Sequence, residues 1–181
     1  MTVSVTELAE EIQRLFAQKN NGERERVRFI FDQLRSELSA GSVRAAEPDP
    51  SAPTGWKVNT WVKKGILLGF RAGEISVFPS THKDMPYLDK DTLPLRSIDA
   101  KSGIRVVPGG SSIRDGAYIG TGVICMPPMY INIGAYVDDL FFGECGHESP
   151  CVSPFGKGGN IARHEFKKAN PESITYSCLL Y

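Results

Sequence analysis

The 181-residue sequence predicts an α+β protein with a helical N-terminal domain, a short run of β-solenoid and an irregular C-terminal tail. Three observations carry that prediction. A six-residue rhythm runs unbroken from Arg105 to Leu140, two early stretches repeat apolar residues at helical spacing, and after Leu140 the periodicity stops.

Ser4 and Glu7 have the spacing of a capping box, and Leu8, Ile12, Leu15 and Phe16 then fall on one helical face. Asn20-Asn21-Gly22 is a turn signal. A second helix from Glu23 to Leu38 carries Val27, Ile30, Phe31, Leu34 and Leu38 as one stripe and stops before Gly41. Neither helix can bury its stripe alone, so the two are expected to pack on each other and on the segments after Gly41. Pro48, Pro50 and Pro53 make residues 47–54 read as a linker within a domain spanning residues 1–104. A third helix is expected over Trp61 to Phe70, weakened by Gly65 and Gly69, and then a short strand over Ile75 to Phe78. Thr81 to Asp99 is polar, holds Pro86 and Pro94, and reads as irregular structure.

Residues 105–140 divide into RVVPGG, SSIRDG, AYIGTG, VICMPP, MYINIG and AYVDDL. The third place holds Val107, Ile113, Ile119, Cys125, Ile131 and Val137; the last holds Gly110, Gly116, Gly122, Pro128 and Gly134 before Leu140. In a chain that is 41% apolar, six apolar hits in any of six frames arise by chance about 2% of the time, and the fixed glycines lower that further. Each unit of such a repeat is one short strand plus a turn, and three units per coil stack the third places in a common interior. Gly tolerates positive φ and Pro fixes φ for a turn, so both suit the corners. Tyr118, Tyr130 and Tyr136 precede the interior place and are expected to point outward as intersubunit packing surface. The next third places, Gly143 and Ser149, cannot fill an interior. Residues 141–181 are therefore expected to be an irregular, weakly ordered tail with one short helical stretch near Ala162 to Lys168.

Twenty-one Lys and Arg balance twenty-one Asp and Glu, which argues against nucleic acid or an anionic membrane as a partner. Met1 to Ala9 lacks the basic and apolar regions of a secretory signal, and Ile66 to Phe70 is too short to span a bilayer. Four cysteines without regular spacing fit a reducing compartment, so a cytoplasmic location is expected. Cys145, His147, Cys151 and His164 are the residue types of a structural zinc site, but their spacing matches no known module and no metal is expected. Lys63 and Lys64 read as a solvated helix edge, and Phe155 to Gly159 as a flexible glycine-rich loop.

Several segments go beyond the hexads. They are Val43 to Glu47, Trp61 to Leu68, Phe70-Arg71, Asp89-Lys90, Arg105 to Pro108, Gly116 to Ile119, Met126-Pro127 and Tyr130 to Asp138. The hexads resemble those of the left-handed parallel β-helix acyltransferases. The whole set, in order and approximate spacing over residues 1–139, resembles the tetrahydrodipicolinate N-succinyltransferases of bacterial lysine biosynthesis through diaminopimelate. The resemblance implies a homotrimer that moves a succinyl group from the co-substrate succinyl-CoA to the amino group of an opened dicarboxylic substrate, with no bound cofactor. It also implies that Arg105 binds the substrate, a role suited to the two parallel hydrogen bonds a guanidinium gives a carboxylate.

The chain departs from the family after Asp138. The family continues with GTMVD, further hexads, a GGVLEP segment carrying the catalytic glutamate, and coils that build the CoA groove. Here Asp139 to Glu144 comes next and no GGVLEP exists, so the catalytic residues are unassigned. By counting, Glu144 stands where the family's substrate-contacting aspartate falls, without its flanking motif. A truncated or frame-shifted coding sequence would explain the abrupt change. The sequence thus reads as a shortened, catalytically impaired 2,3,4,5-tetrahydropyridine-2,6-dicarboxylate N-succinyltransferase. Two alternatives stand beside it: a non-catalytic fragment or assembly partner that keeps the trimer-forming surface, and another hexapeptide acyltransferase, acting for example on a sugar amine. Arg105 and the Tyr130 to Asp138 motif favour the dicarboxylate enzyme.

Overall fold

A computed structural model of the chain describes residues 4–18, 23–53, 55–80, 84, 86–139 and 142–143. Helix α1 (Val5–Ala17) opens on the expected capping box: the Ser4 hydroxyl accepts from the Glu7 amide at 3.3 Å, and the Glu7 carboxylate accepts from the Ser4 amide at 2.9 Å. It buries Leu8, Ile12 and Leu15. Helix α2 (Arg24–Ala40) buries Ile30, Phe31, Leu34 and Leu38 and ends at Gly41, which takes φ 78°. Helix α3 (Thr60–Ala72) extends the expected span at both ends. A Cβ on Gly65 would stand 2.4 Å from Leu34, and one on Gly69 would stand 2.4 Å from Phe31. The two glycines cost α3 helix propensity and in return let it lie close against α2. The three helices share one core with Val43, Leu93 and Ile133.

Two expectations about the connecting segments are corrected. The proline-rich stretch 47–54 is the end of a hairpin, since β1 (Ala46–Pro48) pairs antiparallel with β2 (Trp56–Val58). Proline is tolerated in a two-stranded ribbon, where every strand has a free edge. The segment from Thr81 to Asp99 likewise contains a strand: β3 (Ile75–Phe78), found where expected, pairs antiparallel with β4 (Tyr87–Lys90). Asp89 and Lys90 are poor strand formers, and their tertiary partners compensate. Asp89 receives the Arg114 guanidinium, and the Lys90 ammonium donates to the Gly73 carbonyl at 3.1 Å.

The hexad region forms short parallel strands, as the period predicts. They are β5 (Arg105–Val106), β6 (Ser112–Ile113), β7 (Tyr118–Ile119), β8 (Ile124–Cys125), β9 (Tyr130–Ile131), β10 (Tyr136–Val137) and β11 (Phe142–Gly143). Each pairs with the strand three places on, giving the ladders β5–β8–β11, β6–β9 and β7–β10. Ile113, Ile119, Cys125, Ile131 and Val137 are buried between them with Ala117, Val123 and Met129. Corner residues Gly110, Gly116, Gly122 and Gly134 all take positive φ.

The first unit departs from the frame by one residue. Val106, not Val107, stands level with Cys125, and Arg105 stands level with Ile124. The other ladders pair Ser112 with Tyr130 and Tyr118 with Tyr136, one residue closer in sequence. The extra residue is taken up between Val106 and Ser112, where Gly109 and Gly110 both hold positive φ, at 150° and 92°. A one-residue slip exchanges the faces of a strand, so Ile104 now packs on the interior and Arg105 points away from it. Val106 lies on the outermost rung among the described residues and stays 37% exposed. The ladder also outlasts the rhythm: β11 pairs with β8 beyond Leu140 and sets Gly143 level with Cys125, because backbone pairing does not require a side chain that fills the interior. Apart from Phe142 and Gly143, the tail 141–181 lies outside the described residues.

Candidate functional site

The three ladders present their outward side chains to different surroundings. On β7–β10, Tyr118 and Tyr136 stack on each other, and Arg44 lies over the Tyr136 ring at 3.5 Å from its centroid while donating to its hydroxyl at 2.5 Å. Burial pushes the Tyr136 phenol above its usual range; the Arg44 charge opposes that. The end of α2 closes on the same face, with Gly41 against the Tyr118 ring. Nearby, Ser39 donates to Asp115 at 2.7 Å and accepts from the Gly116 amide at 2.7 Å, while Arg35 pairs with Asp115 at 3.1 Å. Both tyrosines point outward as expected, but they pack within the chain.

On β6–β9, Tyr130 accepts from Arg114 Nε at 3.1 Å, and the rest of that guanidinium is taken by Asp89 and the Leu93 carbonyl. The Tyr130 hydroxyl donates in turn to the buried Asn132 at 3.4 Å. This network ties the ladder to the β3–β4 hairpin through Arg114 and Tyr130.

The third ladder differs. The Arg105 side chain is exposed and makes no hydrogen bond or ion pair among the described residues, and its ladder neighbour Ile124 is half-buried. At the nearby corner, Asp138 accepts from the Asp139 amide at 2.9 Å and Asp139 accepts from the Thr121 amide at 2.8 Å. Asp138 thus serves as a hydrogen-bond acceptor at the corner. Glu144, Cys145, His147, Cys151 and His164 lie outside the described residues. Among the described residues no group of three or more His, Cys, Asp and Glu could hold a metal ion. No helix there is long and apolar enough to cross a membrane.

Elsewhere, a cleft of about 1030 Å³ opens beside the helices, lined by Leu15, Val27, Leu68, Arg24, Arg71 and Lys90 among others. Arg24 is committed to Glu74 at 2.6 Å and to the Ala72 carbonyl at 3.0 Å, and Arg71 lies over the Phe16 ring. Lys64 also sits over Phe16 rather than simply edging the helix, at 5.9 Å from its centroid. Arg105 does not line this cleft. What the hexad frame missed is the pairing of Arg105 with Ile124; the one signal for it was the consecutive pair Gly109-Gly110, where a turn can absorb an extra residue.

The described residues define an α+β protein in which a helical domain is bonded to short parallel ladders that present one unpaired arginine. Residues 7–72 match the family model described as tetrahydrodipicolinate N-succinyltransferase N-terminal. Over those residues the chain is similar to the N-terminal domain of the tetrahydrodipicolinate N-succinyltransferases. A 2,3,4,5-tetrahydropyridine-2,6-dicarboxylate N-succinyltransferase of Nitrobacter winogradskyi is 37% identical over 165 residues, 85% of this chain and 57% of the relative. One of the same name from Xylella fastidiosa is 38% identical over 117 residues, 62% of this chain and 40% of the relative. One from Bradyrhizobium diazoefficiens is 32% identical over 165 residues, with 85% and 57% covered. The chain spans about half the length of the curated relatives it matches.

Proposed function

We propose that this chain carries the dicarboxylate-binding part of a succinyl-CoA-dependent N-acyltransferase acting on 2,3,4,5-tetrahydropyridine-2,6-dicarboxylate in the diaminopimelate route to lysine. The observation that carries the reading is Arg105: exposed, its guanidinium without a partner among the described residues, and level with the apolar Ile124 on its ladder. The relatives' names supply the substrate class. In this reaction water opens the cyclic imine to a free amine, the amine attacks the thioester carbonyl, a tetrahedral oxyanion forms, and CoA leaves as the thiol while the nitrogen loses a proton. Arg105 grips one carboxylate and fixes the amine's approach, a gain in positioning rather than in proton transfer. Succinyl-CoA is a co-substrate, and the chemistry calls for no bound cofactor or metal.

In the same reading the ladders are coils of a left-handed β-helix, the chain acts in the cytoplasm, and it assembles as a homotrimer. The chain divides near residue 104, between the helical part and the coils. The three-strand spacing of the parallel pairs supports the helical coil. The second reading is a non-catalytic assembly partner that keeps the ladders without the chemistry. Titration with the dicarboxylate pimelate separates the two: saturable binding that depends on Arg105 supports the enzyme reading, and its absence supports the assembly partner.

A further inference from the structure

We propose that Ile124 is the specificity residue of the dicarboxylate site, the apolar shelf on which the hydrocarbon between the two carboxylates rests. This role rests on Arg105 as the carboxylate grip and names what lies beside that arginine. The Arg105 amide donates to the Val123 carbonyl at 2.9 Å and the Val107 amide to the Cys125 carbonyl at 3.0 Å, which sets Arg105 and Ile124 side by side. Neighbours in a parallel ladder project to the same side from backbones about 5 Å apart. Ile124 is only half-buried, although Val123 and Cys125 on either side of it are fully buried, so its side chain belongs to the outward row with Arg105.

The corresponding outward places on the other two ladders hold Ser112, Tyr118, Tyr130 and Tyr136, all able to hydrogen-bond. Only beside Arg105 does the row offer a charge next to a purely apolar, branched surface. A dicarboxylate has the complementary sequence of groups: an anionic end and then carbon. Arg105 alone would hold short and long diacids equally, because it sees only the carboxylate. Ile124 adds a preference for chain length, worth about 2–4-fold in affinity for each methylene it covers.

The test uses the full 181-residue chain with pimelate and succinate as probes. Ile124→Ser is expected to weaken pimelate binding about 3–10-fold and leave succinate binding unchanged, so the preference between them collapses. In the unaltered chain, labelled isoleucine methyl spectra are expected to show the Ile124 signal moving with pimelate; this readout holds even if Ile124→Ser lowers folding stability. Pimelate that binds in an Arg105-dependent way without moving the Ile124 methyl overturns the shelf and keeps the site. Pimelate binding that Arg105→Ala leaves unchanged overturns the site itself.

Discussion

Tyr118 and Tyr136 stack with ring centroids 4.4 Å apart and planes 20° from parallel. They are level partners on paired strands, so their stack records the rung spacing on the side that faces the helical domain. Gly41, at the end of α2, lies against the Tyr118 ring, and Arg44 covers Tyr136. The helical domain is thus fitted to the ladder by one glycine and one arginine three positions apart.

That fit makes Gly41 sensitive. A Cβ there would stand 2.6 Å from Tyr118 Cδ2, and the residue holds φ +78°, which a side chain disfavours. Gly41→Ala is expected to cost about 1–3 kcal/mol in urea unfolding, with the slope of the transition unchanged. An unaltered midpoint would mean that α2 and Tyr118 do not meet this closely.

Acid should loosen the helical domain. The Arg28 guanidinium, 2.5 Å from Asp91, holds that carboxyl down at about 2, helped by the Glu74 amide; Arg14, with Arg26, does the same for Glu11, also to about 2. Both folded values lie below the unfolded value of about 4, so this stabilisation is fully present above about pH 4 and is lost as pH falls toward about 2. Unfolding free energies measured from pH 7 down to pH 2 should fall along that limb. Asp91→Asn should flatten it, and an unchanged limb in that variant would show that the pair contributes nothing.

The helices and the hexad interior were legible because both write themselves as a local period: the Ser4–Glu7 cap, the Ile30 to Leu38 stripe, and the third places from Ile113 to Val137. What was not legible depends on partners distant in sequence. Strand β4 rests on Arg114 and Gly73, neither visible in the composition of Tyr87 to Lys90. The slip at Arg105 was hidden because a repeating frame cannot register one added residue, and every face assignment in the first unit depends on that register. Arg105 itself was reached by resemblance; that it stands free on its ladder, beside Ile124, only the fold could supply.

Arg105→Ala is expected to weaken pimelate binding to the 181-residue chain by about 10–150-fold, the equivalent of a lost charge-assisted hydrogen bond worth about 1.5–3 kcal/mol. Arg96→Ala is a poor control, because Arg96 bonds the Ser39 and Ala117 carbonyls and supports the fold. Lys101→Ala, an exposed cation four residues before Arg105, is the better one, and it should leave affinity within about twofold. Equal losses in both variants would reduce the site to general charge attraction.

Turnover is a separate matter from binding. The attacking amine must lose a proton, so a base has to sit within about 2.6–3.2 Å of it, directly or through one water. Beside Arg105 the ladder offers Ile124, and the nearby carboxylates of Asp138 and Asp139 already accept backbone amides. The 181 residues contain no GGVLEP segment to carry the family's glutamate. Positioning can supply roughly 7–11 kcal/mol of a barrier, but only when both reactants are held together, and in the proposed reading Arg105 holds one of them. The purified chain, given succinyl-CoA and tetrahydrodipicolinate, is therefore expected to release free thiol at close to the background rate while still binding the dicarboxylate. Turnover above about 1 per second, within the ordinary enzyme range, would show that a base and a thioester site are supplied by residues other than those around Arg105.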